Sequence, residues 1–179
     1  MFKWLKKKKE IVSCPEKGIF VLKGEIDNDM ACNVVTGMLD YSCKHPEKII
    51  TLHIDCEGGL ITAGMAIYDT MRAVPNPKRT IAHKNAGGIA ALLLCAGSRG
   101  MRIAHPNTRI SLGQFYISTD VTNVSPLLYQ TMDKIYALFA MHTGNTSEQI
   151  KELLKPQYLN IGKAMQSGLI DSCDGQFGE

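Results

Sequence analysis

The sequence lacks the cysteine patterns that would indicate a zinc site or a catalytic thiol pair. Its 179 residues include six cysteines, but no Cys-x-x-Cys pair and no Cys/His spacing of the kind that binds zinc. Such cysteines are typical of a reduced, cytosolic protein. No apolar run has the length of a membrane span, and the N-terminus lacks the apolar segment of a secretory signal. We therefore predict a cytoplasmic protein with no membrane contact, no metal and no cofactor.

The sequence also lacks a large excess of either charge. Its net charge is +3, and much of this excess lies in the lysine run 6–9. We interpret that run as a solvated tail, and the nearly neutral remainder predicts no nucleic-acid-binding face. A chain of this length with 45% hydrophobic residues is expected to form one domain. We place that domain at residues 18–179, after a basic N-terminal segment of residues 1–17.

A third absence concerns hydroxyl groups. Between Ile81 and Gly97 there is no serine, threonine or tyrosine. Yet the glycine pair Gly58–Gly59 follows an apolar strand, and a second pair at 87–88 opens a run of small and apolar residues. Such glycine turns can aim backbone N–H groups at an oxyanion. The sequence thus has the frame for acyl chemistry but no nucleophile within it.

The hydrophobic pattern predicts alternating strands and helices. Serine and proline at 125–126 are a good helix start, Thr146 with Gln149 predicts a capping box, and Asn160 caps the last helix. The alternation implies parallel strands joined by right-handed crossovers, and so a single α/β domain. The predicted strands are 18–23, 49–55, 80–82, 101–104 and 108–112, and the predicted helices are 29–41, 60–73, 89–96, 126–142, 147–154 and 160–168.

Four stretches carry a resemblance to a known family. The chain resembles the proteolytic subunit of the Clp protease, ClpP, from about residue 19 to residue 171. The resemblance implies a crotonase-like spiral of ββα units with a protruding handle helix, and assembly into seven-membered rings that usually stack in pairs. The stretches are Gly24–Ala31, Ile61–Met71, His142–Gly144 and Gly168–Asp171.

The resemblance also implies where a catalytic triad would lie. The family uses a serine, a histidine and an aspartate. Its serine column holds Gly88 in this sequence, its histidine column holds Gly113, and its aspartate column holds Pro156 when one residue is gapped nearby. Loss of a triad nucleophile alone costs roughly a million-fold in turnover. We therefore predict a catalytically inactive, ClpP-like pseudoprotease that is structural or regulatory in a Clp-type oligomeric ring.

Two alternatives remain open on sequence grounds. The backbone of Gly58, Gly59 and Ile89 would still form an oxyanion or peptide-binding cradle, and glycine at 88 and 113 would widen the cleft for a bound peptide or other ligand. Alternatively, the chemistry has moved to Cys56, which replaces a family serine beside the glycine pair. Ser111 and Lys84 are further candidates near the site, but neither has an evident catalytic partner.

The resemblance also bears on assembly. We expect self-association into a ring, alone or mixed with an active ClpP. The segment between Gly113 and His142 is several residues shorter than the family pattern, which predicts a shortened handle and affects ring stacking more than ring formation. A Clp ATPase is a further candidate partner, although the N-terminal segment is short where the family carries its axial loops.

Overall fold

A twisted parallel sheet forms the centre of the molecule. The computed structural model describes residues 12–113, 126–154 and 158–174, with backbone only for 126–129. In spatial order the strands run β1-β2-β3-β4-β6, and β5 pairs with the far end of β3. Every pairing among these strands is parallel. The strands are β1 (Ile19–Ile26), β2 (Ile50–Gly59), β3 (Lys78–Gly87), β4 (Arg102–Ala104), β5 (Arg109–Ser111) and β6 (Ser172–Cys173).

Helices connect most of the successive strands, as the alternating pattern predicts, but β4 and β5 are joined without a helix. Thr146 and Gln149 form the predicted capping box, and the side chain of Asn160 accepts from the Lys163 amide at 2.8 Å. Both local predictions are confirmed. The helices are α1 (Asn28–Lys44), α2 (Ile61–Ala73), α3 (Ile89–Cys95), α4 (Pro126–Thr143), α5 (Ser147–Leu153) and α6 (Ile161–Gln166).

The helix α3 occupies the core. All seven of its residues are fully buried, as a helix that is apolar on every side requires. It packs on β2 and β3 and against α2. Gly64 of α2 permits this approach, because a Cβ atom there would overlap the side chain of Ile89. The start of α3 is therefore held rigidly by both the sheet and a neighbouring helix.

Three strands are longer than predicted, β1 by two residues, β2 by three and β3 by seven. β3 spans ten residues rather than three, because its second half, Asn85–Gly87, pairs with β5 after its first half has paired with β4. The polar residues 83–85 interrupt the apolar pattern and hide this continuation. Likewise, Gly58 and Gly59 are the last residues of β2, paired with Glu25 and Ile26, rather than a turn after the strand.

An ion pair joins the C-terminal part of the domain to the sheet. Asp171 accepts from Arg102 Nε at 2.9 Å, from the Arg102 amide at 3.0 Å and from the Gly100 amide at 2.8 Å. The Arg102 guanidinium also donates to the carbonyls of Gly168 at 2.7 Å and His142 at 3.2 Å. Burial acts to raise the pKa of Asp171, but the hydrogen bonds from Arg102 hold that pKa below its ordinary value.

The described part of the chain contains no helix that is long and apolar enough to cross a membrane. The lysine run 6–9, the predicted handle residues 115–117 and Pro156 lie outside the described residues.

Candidate functional site

The centre of the candidate site is a sharp turn between β3 and α3. Gly88 connects the two elements with φ 49° and ψ −119°, a conformation that glycine adopts far more readily than other residues. Its amide donates to the carbonyl of Ser111 at 2.9 Å, and its carbonyl accepts from the amides of Ala91 and Leu92 at 3.1 and 3.3 Å. A strand-to-helix turn of this kind carries the nucleophile in many hydrolases. Here the turn presents only a hydrogen atom.

The preceding glycine has a different physical role. A Cβ atom on Gly87 would overlap the carbonyl oxygen of Glu57 on β2. Gly87 therefore allows the backbones of β2 and β3 to approach closely, whereas Gly88 supplies the positive φ of the turn. The pair fixes where α3 begins relative to the end of β2.

The position predicted for the family's histidine is closed rather than vacant. Gly113 lies two residues beyond the end of β5, and a Cβ atom there would overlap the carbonyl oxygen of Leu154 at the end of α5. An imidazole cannot be placed at this position unless the backbone near Leu154 moves. The expectation that Gly113 widens the cleft is therefore wrong, because a backbone carbonyl occupies the space that the missing side chain would use.

The three predicted oxyanion donors differ in their surroundings. The Gly58 amide is 3.2 Å from the sulfur of Cys56, to which it donates. Gly59 pairs with Ile26, and a Cβ atom on Gly59 would overlap the Ile26 backbone. Ile89 is the first residue of α3, so its amide has no acceptor within the helix. Of the three amides, that of Ile89 is therefore the best placed to donate to a ligand.

Cys56 has the surroundings of a structural thiol. Its side chain is buried, and its sulfur donates to the Gly58 carbonyl at 3.0 Å. Burial raises its pKa to about 11, so the thiolate is scarce at neutral pH. The thiolate is the nucleophilic form of cysteine, and this environment therefore opposes relocated chemistry at Cys56.

Ser111 and Lys84 do not form a catalytic pair. Ser111 is buried beside Gly87 in the β3–β5 pairing, and its hydroxyl has no hydrogen-bond partner among the described residues. Lys84 is exposed. A serine without a general base is a weak nucleophile. The buried hydroxyl therefore does not replace the missing serine.

His142 is a half-buried histidine that is hydrogen-bonded to a tyrosine. The hydroxyl of Tyr68 lies 2.8 Å from its Nε2 atom. Burial, together with the positive charges of Arg72 and Arg102, lowers the pKa of His142 to about 4. The ring is therefore neutral at physiological pH and shares a hydrogen bond with the tyrosine, which supports a structural interpretation. Among the described residues, no group of three or more His, Cys, Asp and Glu side chains is arranged to hold a metal ion.

An acidic cavity of about 350 Å³ opens beside Gly58, at the carboxyl ends of the first three strands. Sequence reasoning missed it, although three carboxylates near the ends of apolar strands are a recognisable signal. These charges oppose the binding of an anion and favour a cationic group. The cavity is lined by Gly24, Glu25, Asp55, Glu57, Gly58 and Asn85.

Comparison with protein families agrees with this architecture. A family model described as Clp protease matches residues 7–174, which is nearly the whole chain. The single α/β domain with its parallel sheet is the fold that the resemblance predicts. The chain therefore belongs to the Clp protease family.

Proposed function

We propose that this chain is a non-catalytic subunit of a Clp-type ring, with a structural or regulatory role in the cytoplasm. The observation that carries the proposal is the turn at Gly88, which keeps the backbone of a nucleophile elbow but has no side chain to react. The contact between Gly113 and the Leu154 carbonyl adds to it, because no imidazole fits there.

The expected loss of activity is large. Without the serine, a triad enzyme loses roughly a million-fold in turnover. A rate acceleration of about 10³–10⁴ over the uncatalysed reaction in water survives through substrate binding and the oxyanion hole. The acidic cavity beside Gly58 would reduce that remainder further, because carboxylates destabilise a nearby oxyanion. What remains is too slow for a working peptidase.

The packing of the rest of the domain supports a structural role in an assembly. The core helix α3, the close approach of β2 and β3 and the ion pair of Arg102 with Asp171 form a well-packed domain. We infer that this domain self-associates into a ring, alone or beside an active ClpP subunit. A Clp ATPase is a further proposed partner.

The absence of peptidase activity is testable on the purified chain. We expect no labelling by a fluorophosphonate probe and no hydrolysis of a fluorogenic peptide, whereas an active ClpP treated in parallel is labelled and hydrolyses the peptide. A Cys56→Ser variant separates serine from thiol chemistry. Labelling of the wild-type chain at a stoichiometric level, or hydrolysis that the Cys56→Ser change abolishes, would contradict the proposal.

Ring assembly is tested separately. Native mass spectrometry of the chain, alone and with an active ClpP, reports whether rings form.

A peptide-binding module is the second candidate, and the cavity beside Gly58 favours it. If this cavity holds a ligand, its three carboxylates predict a preference for basic peptides. We expect saturable binding of a fluorescent lysine-containing peptide, weakened about tenfold or more when Asp55 and Glu57 are both changed to the neutral amides. An Asp40→Asn variant, on the exposed side of α1, is the matched control. Equal binding of a neutral peptide by the wild-type chain would exclude recognition by the carboxylates, and absence of saturable binding for both peptides would exclude the role.

A further inference from the structure

Three histidines and an aspartate form a row across four neighbouring strands. His53 is on β2 and His83 is on β3, while His105 directly follows β4 and Asp174 directly follows β6. Nδ1 of His53 lies 2.9 Å from Nε2 of His83, and the His83 and His105 rings are 4.6 Å apart between centroids. Nδ1 of His105 lies 3.4 Å from a carboxylate oxygen of Asp174. We call these four residues the histidine row.

Strand register builds the histidine row. Ala82 of β3 pairs with Ala104 of β4, which pairs in turn with Cys173 of β6, so the residues that follow each of them lie side by side. The His105 amide donates to the Ala82 carbonyl at 2.9 Å. The Thr108 hydroxyl lies 2.8 Å from the His83 carbonyl and donates to it. The backbone beneath the row is thus tied together by hydrogen bonds.

The row lies on the face of the sheet opposite the core. Leu52 and Ile54 are fully buried on one face of β2, and the alternation of side chains places His53, which is half-buried, on the other. Apolar side chains surround the row, with Val21 and Ile81 paired across from His53. The charged side chains on this face include Lys23 of β1, Asp55 and Glu57 of β2, Arg79 of β3, Arg109 of β5, and Asp174 just after β6.

The contact between His53 and His83 can exist only in certain protonation states. A hydrogen bond between two imidazole nitrogens needs one hydrogen atom between them, so one ring must donate and the other must accept. One added proton keeps such a bond, because an imidazolium can donate to a neutral ring. A second added proton places hydrogen atoms on both facing nitrogens, and the bond is lost.

Electrostatics keep this pair neutral under ordinary conditions. Burial, followed by the nearby charges of His83 and His105, lowers the pKa of His53 below 6.5. Burial and His105 also lower the pKa of His83, although Asp55 and Asp174 partly oppose this. The unfolded chain therefore takes up protons before the folded chain does. The stability that the neutral pair contributes is complete above pH 6.5 and is lost as the pH falls below that value through the folded-state pKa.

We propose that the histidine row is a proton-operated switch on the outer face of the sheet. In the neutral state a hydrogen bond joins His53 to His83, and neither ring of this pair carries a charge. Uptake of the second proton breaks the bond and turns the row into a cationic strip beside Asp174. The protonated pair thereby adds two positive charges to this face of the sheet. This device is independent of whether the triad is active.

Nuclear magnetic resonance of the full chain, labelled with ¹⁵N-histidine in buffer with a chelator, tests the switch. We expect the ring nitrogens of His53 and His83 to keep the separate shifts of neutral imidazole at pH 6, where a free histidine is roughly three-quarters protonated. We also expect the titration of His53 to move upward in His83→Gln, because a cationic neighbour has been removed. A His45→Gln variant, at the end of α1, should leave it unchanged.

Hydrogen exchange of backbone amides measures whether loss of the His53–His83 bond loosens β2. After correction for the intrinsic pH dependence, exchange of the β2 amides around His53 should rise tenfold or more between pH 7 and pH 5 in the wild-type chain. The double variant His53→Gln/His83→Gln should lose this rise while remaining folded by circular dichroism. The switch is overturned if His53 titrates like a free histidine in the wild-type chain, if His83→Gln leaves its titration unchanged, or if the double variant keeps the rise in exchange.

Discussion

Replacement of Arg102 with methionine is expected to lower the free energy of unfolding by about 3–5 kcal/mol, the cost of breaking a buried ion pair by removal of one partner. Arg102 is only 6% exposed. The change removes the charge that faces the Asp171 carboxylate and the donors to the carbonyls of Gly168 and His142. Methionine fills a similar volume, so lost packing contributes little. Urea denaturation followed by circular dichroism measures the effect.

A matched control is close in sequence. Arg99 is exposed in the loop before β4, and Arg99→Met should change the free energy of unfolding by about 0.5 kcal/mol or less. Asp171→Asn and the double variant with Arg102→Met complete a cycle that measures the coupling of the pair. Because the folded-state pKa of Asp171 is lowered, the contribution of its carboxylate is present above pH 3.8 and is lost as the pH falls below that value. A loss of less than 1 kcal/mol in Arg102→Met at pH 7 would contradict the buried-pair interpretation.

Introduction of a serine and a histidine at the predicted triad positions Gly88 and Gly113 is expected to give no peptidase activity. A Gly88→Ser/Gly113→His variant would supply two of the three groups that bring a triad enzyme its million-fold gain. We expect peptidase kcat/KM to stay at the background of the wild-type chain, because the histidine must displace the Leu154 carbonyl to enter the site. We also expect no aspartate to orient that histidine, since Pro156 stands at the position predicted for it. A fluorogenic peptide assay with a fluorophosphonate control measures the outcome.

The single variants identify the cause of the failure. Gly88→Ser must hold a side chain at φ 49° and ψ −119°, at a cost of about 1–3 kcal/mol in stability. Gly113→His should cost more, because its Cβ atom meets backbone rather than a movable side chain. Gly88→Ala controls for the backbone strain without adding a hydroxyl. An inhibitor-sensitive gain of a thousand-fold or more in the double variant would show that the site is close to a working triad.

Local patterns in the sequence predict much of the fold. The capping residues Thr146 and Asn160 act within three residues of themselves, and the all-apolar run of α3 can only be buried, so each could be read without tertiary information. β3 could not be predicted at its full length, because its polar second half is a strand only through pairing with β5. Its extent depends on a partner more than twenty residues further along the chain.

The candidate site likewise has features that the sequence predicts and features that depend on tertiary contacts. Gly88 could be found by comparison with the family pattern, but the closure of Gly113 by Leu154 depends on how α5 packs against the end of β5. His53, His83 and His105 are far apart in the sequence, and only the strand register reveals them as one row. Arg102 and Asp171 are likewise separated by 69 positions. Contacts between residues distant in sequence therefore determine the closed position at Gly113, the histidine row and the ion pair.

The turn at Gly88 also has a consequence for stability. A side chain held in this backbone conformation stores about 1–3 kcal/mol of strain, which an active enzyme tolerates because the turn exposes its nucleophile. Glycine adopts the conformation without that steric cost, and its greater loss of chain entropy on folding offsets about 0.5–1 kcal/mol of the difference. In a domain with this turn, the substitution that removes the nucleophile also relaxes the backbone. On the proposed function, loss of catalysis and relief of strain are two effects of a single residue, the ordinary trade-off between activity and stability.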